Sequence, residues 1–185
     1  MGRMSDQTHD ALPVEDDGTA GEILAFWEVA RVRAGVVRLV SVTGPDVHGS
    51  LVPPVWSFGD DPELADELLG LVLDGVKTGT STALAELEAA GQPLPAKGDL
   101  SIVLDGRGRP GALIRTTEIA TVPFGEVDAA FAAAEGEGDR TLESWRAQHE
   151  TAWRRVLEAL GAELAAHTPV VTERFELLYP RPSDR

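Results

Sequence analysis

WSFGDDPELADELLGLVLDGVKTGTST, residues 56–82, is the stretch from which the fold and the chemistry of this chain are read. Asp60 or Asp61 offers a side-chain oxygen to cap a helix, and Pro62 suits a helical first turn. Glu63 and Asp66 fall near the positive end of that helix. Leu64, Leu68, Leu71 and Val72 recur three or four apart and predict one apolar face. Gly75 is the expected left-handed stop. Lys77 follows at once, in a predicted loop with four hydroxyls: Thr78, Thr80, Ser81 and Thr82. A lysine at that point meets the hydroxyls at short range. It suits activation of a hydroxyl nucleophile, or a grip on an anionic or carbonyl-bearing ligand. A cation just past a helix C-terminus, with little packing around it in a solvated turn, is also favoured for purely structural reasons.

Outward from this stretch, helices and strands mix without a βαβ rhythm. Ile23, Phe26, Val29 and Ala30 predict a helix over residues 22–33, with Gly35 as its stop. Residues 36–42 are β-rich, and Pro45, Pro53 and Pro54 mark a loop. Residues 100–104 and 112–122 read as strands around a turn at 106–111, and 170–178 as a closing strand. Residues 124–134 read as a helix. A second helix is expected over 141–160, with Thr141 as cap and Leu142, Trp145, His149, Trp153, Val156 and Leu160 along one stripe. The pattern predicts α+β, a mixed or antiparallel β-barrel with peripheral helices. The 185 residues divide into a disordered leader (1–20), a single domain (21–179) and a tail (180–185).

Composition narrows the function classes. There is no cysteine, which excludes disulfides and thiolate metal sites. His9, His48, His149 and His167 are scattered, and none forms H-x3-H, so neither a metal nor another cofactor is expected. No apolar run has the length of a membrane span, and the chain is read as cytoplasmic with no membrane partner. A net charge of −15 argues against broad, tight binding to nucleic acid, DNA included, because polymer binding leans on Lys and Arg. A small neutral substrate fits that balance better, and a locally basic cleft can still hold RNA.

A second cluster lies in AAAEGEGDRTLESWRAQHETAW, residues 132–153, which gathers Glu135, Glu137, Asp139, Arg140, Trp145, His149 and Trp153. With K-T-x-T at Lys77, Thr78 and Thr80, E-G-E-G-D-R at residues 135–140, the W-x3-H pair Trp145 and His149, and E-R-F-E at residues 173–176, the chain from 56 to 179 resembles the ASCH family. The family belongs to the PUA-like β-barrel superfamily and is associated with RNA. The resemblance implies that Lys77, Thr80 and Glu137 form the active site, as in members that hydrolyse N4-acylated cytidines. In that reading Lys77 takes the proton of Thr80, and Glu137 moves a proton to the leaving amine or orients the lysine. Glu135, two residues away, is the rival carboxylate. An ion pair between Lys77 and Glu137 that closes the barrel is the competing structural account.

Trp56, Thr78, Ser81, Arg115, Glu135, Arg140, Trp145 and His149 are the candidate substrate-binding residues. Trp145 or Trp56 would stack on a base, although aromatics four apart on a helix also build cores. His149 is either a hydrogen-bonded core histidine or a proton shuttle. Arg115 either binds a phosphate or base edge, or pairs with Glu118 or Asp99 in the barrel wall. Arg140 clamps phosphate or pairs with an acid. Gly79 stands where a larger residue is common in the family, which would loosen the site. Three functions compete: amide hydrolysis on an N4-acylated cytidine nucleoside, a metal-independent ribonuclease on single-stranded RNA, and a non-catalytic module that binds a modified base. The expected partner is a modified nucleoside or single-stranded RNA; the oligomeric state is not readable.

Overall fold

A computed structural model of the chain describes residues 17–36, 52–59 and 61–181. The β-rich stretch beyond residue 36, Pro45, Asp60, and all but residues 180 and 181 of the expected tail lie outside these. Helix α1 (Asp17–Arg33) takes in residues 17–20 of the expected leader. It is followed by β1 (Val55–Trp56), α2 (Pro62–Leu73), β2 (Gly79–Ala83) and α3 (Leu84–Ala89). Then come β3 (Leu100–Leu104), β4 (Pro110–Pro123), α4 (Ala129–Glu135), α5 (Leu142–Ala159) and β5 (Pro169–Tyr179).

The five strands form one sheet in the order β1-β3-β4-β5-β2, with β1 parallel to β3 and every other pair antiparallel. The architecture is α+β. Among the described residues the sheet is open, with β1 and β2 at its opposite edges, and no ladder between them closes it into the expected barrel.

The Lys77 stretch is also corrected. It was read as a loop, but Gly79–Ala83 is a strand that runs antiparallel along β5 in continuous register. The β-branched threonines suit a pleated, half-buried strand, and β5 supplies the hydrogen-bond partners that a local reading does not see. Helix α3 was not anticipated at all; its six residues are too few to show a period.

Local signals mark α2, α4 and α5, though the helix expected from residue 124 is regular only from Ala129, after a 3-10 turn at Phe124–Glu126, and β1 carries no such signal. Asp61 caps α2 by accepting from Leu64 N at 2.9 Å, and Gly75 takes the left-handed conformation at φ 71°. Thr141 caps α5 by accepting from Ser144 N, and Asp128 caps α4 by accepting from Phe131 N. Each cap contributes about 1 kcal/mol.

The core has three parts. Leu68, Leu69 and Val72 of α2 pack with Phe58, Val103, Ile114 and Phe175. Trp27 and Ala30 of α1 pack with Ile102, Leu113 and Leu178. Phe131 of α4 and Trp145, Trp153 and Leu157 of α5 pack with Ala83, Phe124 and Val170. The last two helices therefore lie against the β2–β5 edge, where the acidic run meets the lysine.

Candidate functional site

Two turns bring Lys77 to the acidic run. Past Gly75, the Val76 and Lys77 amides both donate to Leu71 O, at 2.9 and 3.0 Å, which folds the chain back over the end of α2. The Thr78 amide then donates to Ala134 O at 2.7 Å, tying β2 to the last turn of α4. Gly136 ends α4 at φ 77°, and a Cβ there would stand 2.9 Å from Val76 O. Only glycine allows the backbone of the acidic run to come this close to the lysine segment.

Lys77 is 1 % exposed. Instead of standing in a turn with little packing, it is buried by the closure of α4 over β2. Its Nζ lies 2.5 Å from Glu137 Oε1 and 3.5 Å from Glu135 Oε2, with the Phe58 ring centroid at 5.0 Å. Both carboxylates of the E-G-E sequence are thus on one ammonium. Glu135 is 2 % exposed, whereas the Glu137 side chain is 23 % exposed and reaches solvent.

Glu135 is the hub. Its Oε1 accepts from Ser81 Oγ at 2.5 Å and from Trp145 Nε1 at 2.8 Å. Its Oε2 faces His149 Nε2 at 3.6 Å, a charge contact rather than a hydrogen bond. His149 Nδ1 lies 2.9 Å from Trp145 O. A carbonyl only accepts, so Nδ1 carries a hydrogen and Nε2 is turned to Ser81 Oγ, 3.3 Å away. Burial pushes the Glu135 carboxyl up, but His149, the Lys77 ammonium and the Ser81 hydroxyl outweigh it and hold the group at about 2. Burial likewise works against the His149 cation, and Glu135 with the Trp145 carbonyl prevails and raises it above the usual value. The unanticipated helix α3 adds Glu86 near His149, and burial raises that carboxyl.

Thr80 is not part of this network. Ser81 and Thr80 are neighbours on a strand, so their side chains leave opposite faces of the sheet. Gly79, Ser81 and Ala83 share one face with Arg174, Thr172 and Val170; Thr80 and Thr82 share the other with Glu173 and Val171. Phe58 connects the two regions: its ring lies by Lys77 Nζ and 6.2 Å from Phe175, which is on the Thr80 face.

The remaining candidates divide. Thr78 Oγ1 donates to Ala134 O at 3.4 Å and serves the α4 junction. Trp145 is 3 % exposed, stacked on His149 at 4.3 Å and packed against Phe124 and Trp153, so both faces of its ring are taken and no base can stack there. Trp56 packs edge-on to Phe58 at 4.7 Å and stays partly exposed. Arg115 does not enter the site or pair with Glu118 or Asp99: its Nε donates to Glu176 Oε1 at 2.9 Å across the strands, in the open. Arg140 is exposed at φ 65° in the turn before α5. Gly79 loosens nothing, since a Cβ there would meet Glu173 O at 3.3 Å and the Phe131 ring at 3.4 Å. Phe58 carries neither charge nor hydroxyl, and Glu173 belongs to the E-R-F-E signature with no role attached, so the sequence marks neither as a site residue.

Among the described residues no group of three or more His, Asp or Glu side chains could hold a metal ion, and no helix is long and apolar enough to cross a membrane.

Comparison with known proteins agrees with this arrangement. The structure is similar to an ASCH domain from Lactobacillus crispatus JV V101, with a TM-score of 0.73 and 25 % identity over 89 % of this chain and 98 % of that one. It is also similar to a protein from Enterococcus faecalis V583, with a TM-score of 0.69 and 29 % identity over 86 % of this chain and 91 % of that one. No curated protein matches the chain. The family model for the ASCH domain matches residues 54–179, which spans β1 to β5 and every residue of the lysine–carboxylate cluster. The chain belongs to the ASCH domain family.

Proposed function

We propose that this chain is a hydrolase of RNA-derived substrates, and that its reaction is hydrolysis of the amide of an N4-acylated cytidine nucleoside. The observation that supports this best is the Lys77–Glu137 pair: a lysine 1 % exposed, held at 2.5 Å by a carboxylate that itself reaches solvent. An ammonium between two carboxylates is a fixed positive charge rather than a base. It suits the oxyanion that forms when an acyl carbonyl is attacked, and in a dry site such a charge acts far more strongly than in water. Glu137 is the carboxylate placed to pass a proton to the leaving amine. Thr80 supplies the hydroxyl. A net charge of −15 favours a neutral nucleoside over a polyanion.

A metal-independent ribonuclease on single-stranded RNA is the second reading. His149, raised above its usual value and sharing Glu135 with Lys77, favours it, since two cationic groups around one carboxylate suit a phosphorane and its proton transfers. The test is a pair of assays on the purified chain: release of cytidine from N4-acetylcytidine, and cleavage of a labelled single-stranded RNA. Turnover of the nucleoside without cleavage of RNA is the expected result. Cleavage of RNA alone, lost in Glu137→Gln, replaces the first reading with the second.

A further inference from the structure

We propose that Glu173 is a further catalytic residue of this site, the carboxylate that takes the proton of the Thr80 hydroxyl and later gives it back. The inference rests on the amide-hydrolase reading above and supplies the base that reading lacks, because Lys77 and Glu135 are already committed to ion pairs.

Three observations carry it. Thr80 and Glu173 are register partners across the antiparallel β2–β5 ladder. Side chains of such a pair leave the same face with Cβ atoms about 5 Å apart, within the swing of a glutamate. The second observation is that both groups are unclaimed by charges. The Thr80 hydroxyl makes no hydrogen bond to another described residue, and Glu173 forms no salt bridge with one, unlike Glu118, Glu135, Glu137 and Glu176 around it. Its one side-chain partner is Thr116 Oγ1 at 2.5 Å, reached from β4 on the same face. A half-buried carboxyl in a sheet without a cation costs stability, and nothing in the packing requires it there. Burial pushes this carboxyl up and Asp99 adds to the effect, while the Thr116 hydroxyl works the other way. A carboxyl shifted toward neutrality is suited to accept and return a proton in one cycle, which a carboxylate held at about 2, as Glu135 is, cannot do. Third, the face is joined to the lysine. Phe175, two residues along β5, shares it and meets Phe58, over which the Lys77 ammonium lies.

The step balances as follows. Glu173 takes the proton from Thr80 Oγ1 as that oxygen bonds to the acyl carbon. The carbonyl becomes an oxyanion beside Lys77. The C–N bond then breaks, and the amine nitrogen of cytidine takes a proton relayed from solvent by Glu137. Water attacks the threonine ester and gives a proton back to solvent through Glu137; the C–O bond to Thr80 breaks, and its oxygen takes the proton back from Glu173. Amide and water give carboxylic acid and amine.

The experiment is kcat against pH for wild type, Glu173→Gln, Thr116→Val and Thr80→Val on N4-acetylcytidine, with circular dichroism to confirm that each variant is folded. Glu173→Gln should lower kcat by about 100-fold or more with little change in KM, and erase the acid limb of the profile. Thr116→Val removes the hydroxyl that holds the carboxyl down, so its acid limb should move to higher pH; this variant tests the assignment even if Glu173→Gln fails to fold. Acid-quenched wild type should carry an acetyl group that Thr80→Val does not. Wild-type turnover with an undiminished Glu173→Gln, or an acid limb unmoved in Thr116→Val, overturns this assignment alone. An inactive wild type overturns the amide-hydrolase reading together with it.

Discussion

Lys77 Nζ and Glu137 Oε1 stand 2.5 Å apart, and the pair is asymmetric: the lysine side chain is 1 % exposed and the glutamate 23 %. The ammonium is therefore fixed in the interior, while its partner carboxylate reaches whatever occupies the exposed side. Because Glu135 Oε2 stands on the buried side at 3.5 Å, the ammonium keeps a counter-ion even when Glu137 is engaged elsewhere.

Removing the lysine should cost stability as well as activity. Lys77→Met leaves Glu135, 2 % exposed, with His149 as its one remaining cationic neighbour. We expect destabilisation of about 3 kcal/mol or more in urea unfolding. A loss under about 0.5 kcal/mol, the range of ordinary surface changes, would contradict the burial described here.

Stability should fall on both sides of neutrality, for separate reasons. Glu135 is lowered from 4.5 to about 2, so its contribution is present above pH 4.5 and is lost as pH falls toward 2; it is on the order of 3 kcal/mol. His149 is raised above 6.5, so its contribution is complete below 6.5 and disappears as pH rises through its folded value. Unfolding free energies measured from pH 2 to 9 should show both slopes. Glu135→Gln should flatten the acidic one and His149→Gln the upper one; slopes unchanged in the variants would remove these groups from the linkage.

Two glycines with the same backbone sign should respond differently to alanine. Gly75, at φ 71°, has nothing within 4 Å of a Cβ, so Gly75→Ala pays only for the left-handed conformation, about 1 kcal/mol. Gly136, at φ 77°, would also drive its Cβ against Val76 O at 2.9 Å. Gly136→Ala should therefore lose clearly more, about 2–4 kcal/mol, and should loosen the Lys77 contact with the acidic run. Equal losses in thermal unfolding would show that the close approach is not needed.

What was legible in the sequence follows the range of the forces involved. The Asp61 and Thr141 caps and the Gly75 stop are local, and they are where the residues say they should be. The meeting of Lys77 with Glu137 was readable only through the family resemblance, since 60 residues separate them. Strand β2 was not legible, because Gly-Thr-Gly-Thr-Ser-Thr has turn composition and becomes a strand only beside β5. That error hid the alternation that sends Ser81 and Thr80 to opposite faces. It also hid the burial of Lys77. Arg115 reads equally as a cleft residue or as one half of a strand ion pair with Glu118 or Asp99; it is an ion pair, but its partner Glu176 is 61 positions away, beyond any local pattern. Trp145 looked like a stacking platform, but its ring is closed in by Phe124, His149 and Trp153.

The most direct test of the central claim is the steady-state release of cytidine from N4-acetylcytidine by the wild-type chain and by Glu137→Gln, measured side by side at neutral pH. The substitution keeps the shape of a partly exposed side chain and an oxygen for Lys77, but removes the proton-carrying carboxylate. Turnover by the wild type and a fall in kcat of about 100-fold or more in the folded variant are expected. A folded Glu137→Gln protein that releases cytidine at the wild-type rate would contradict that claim.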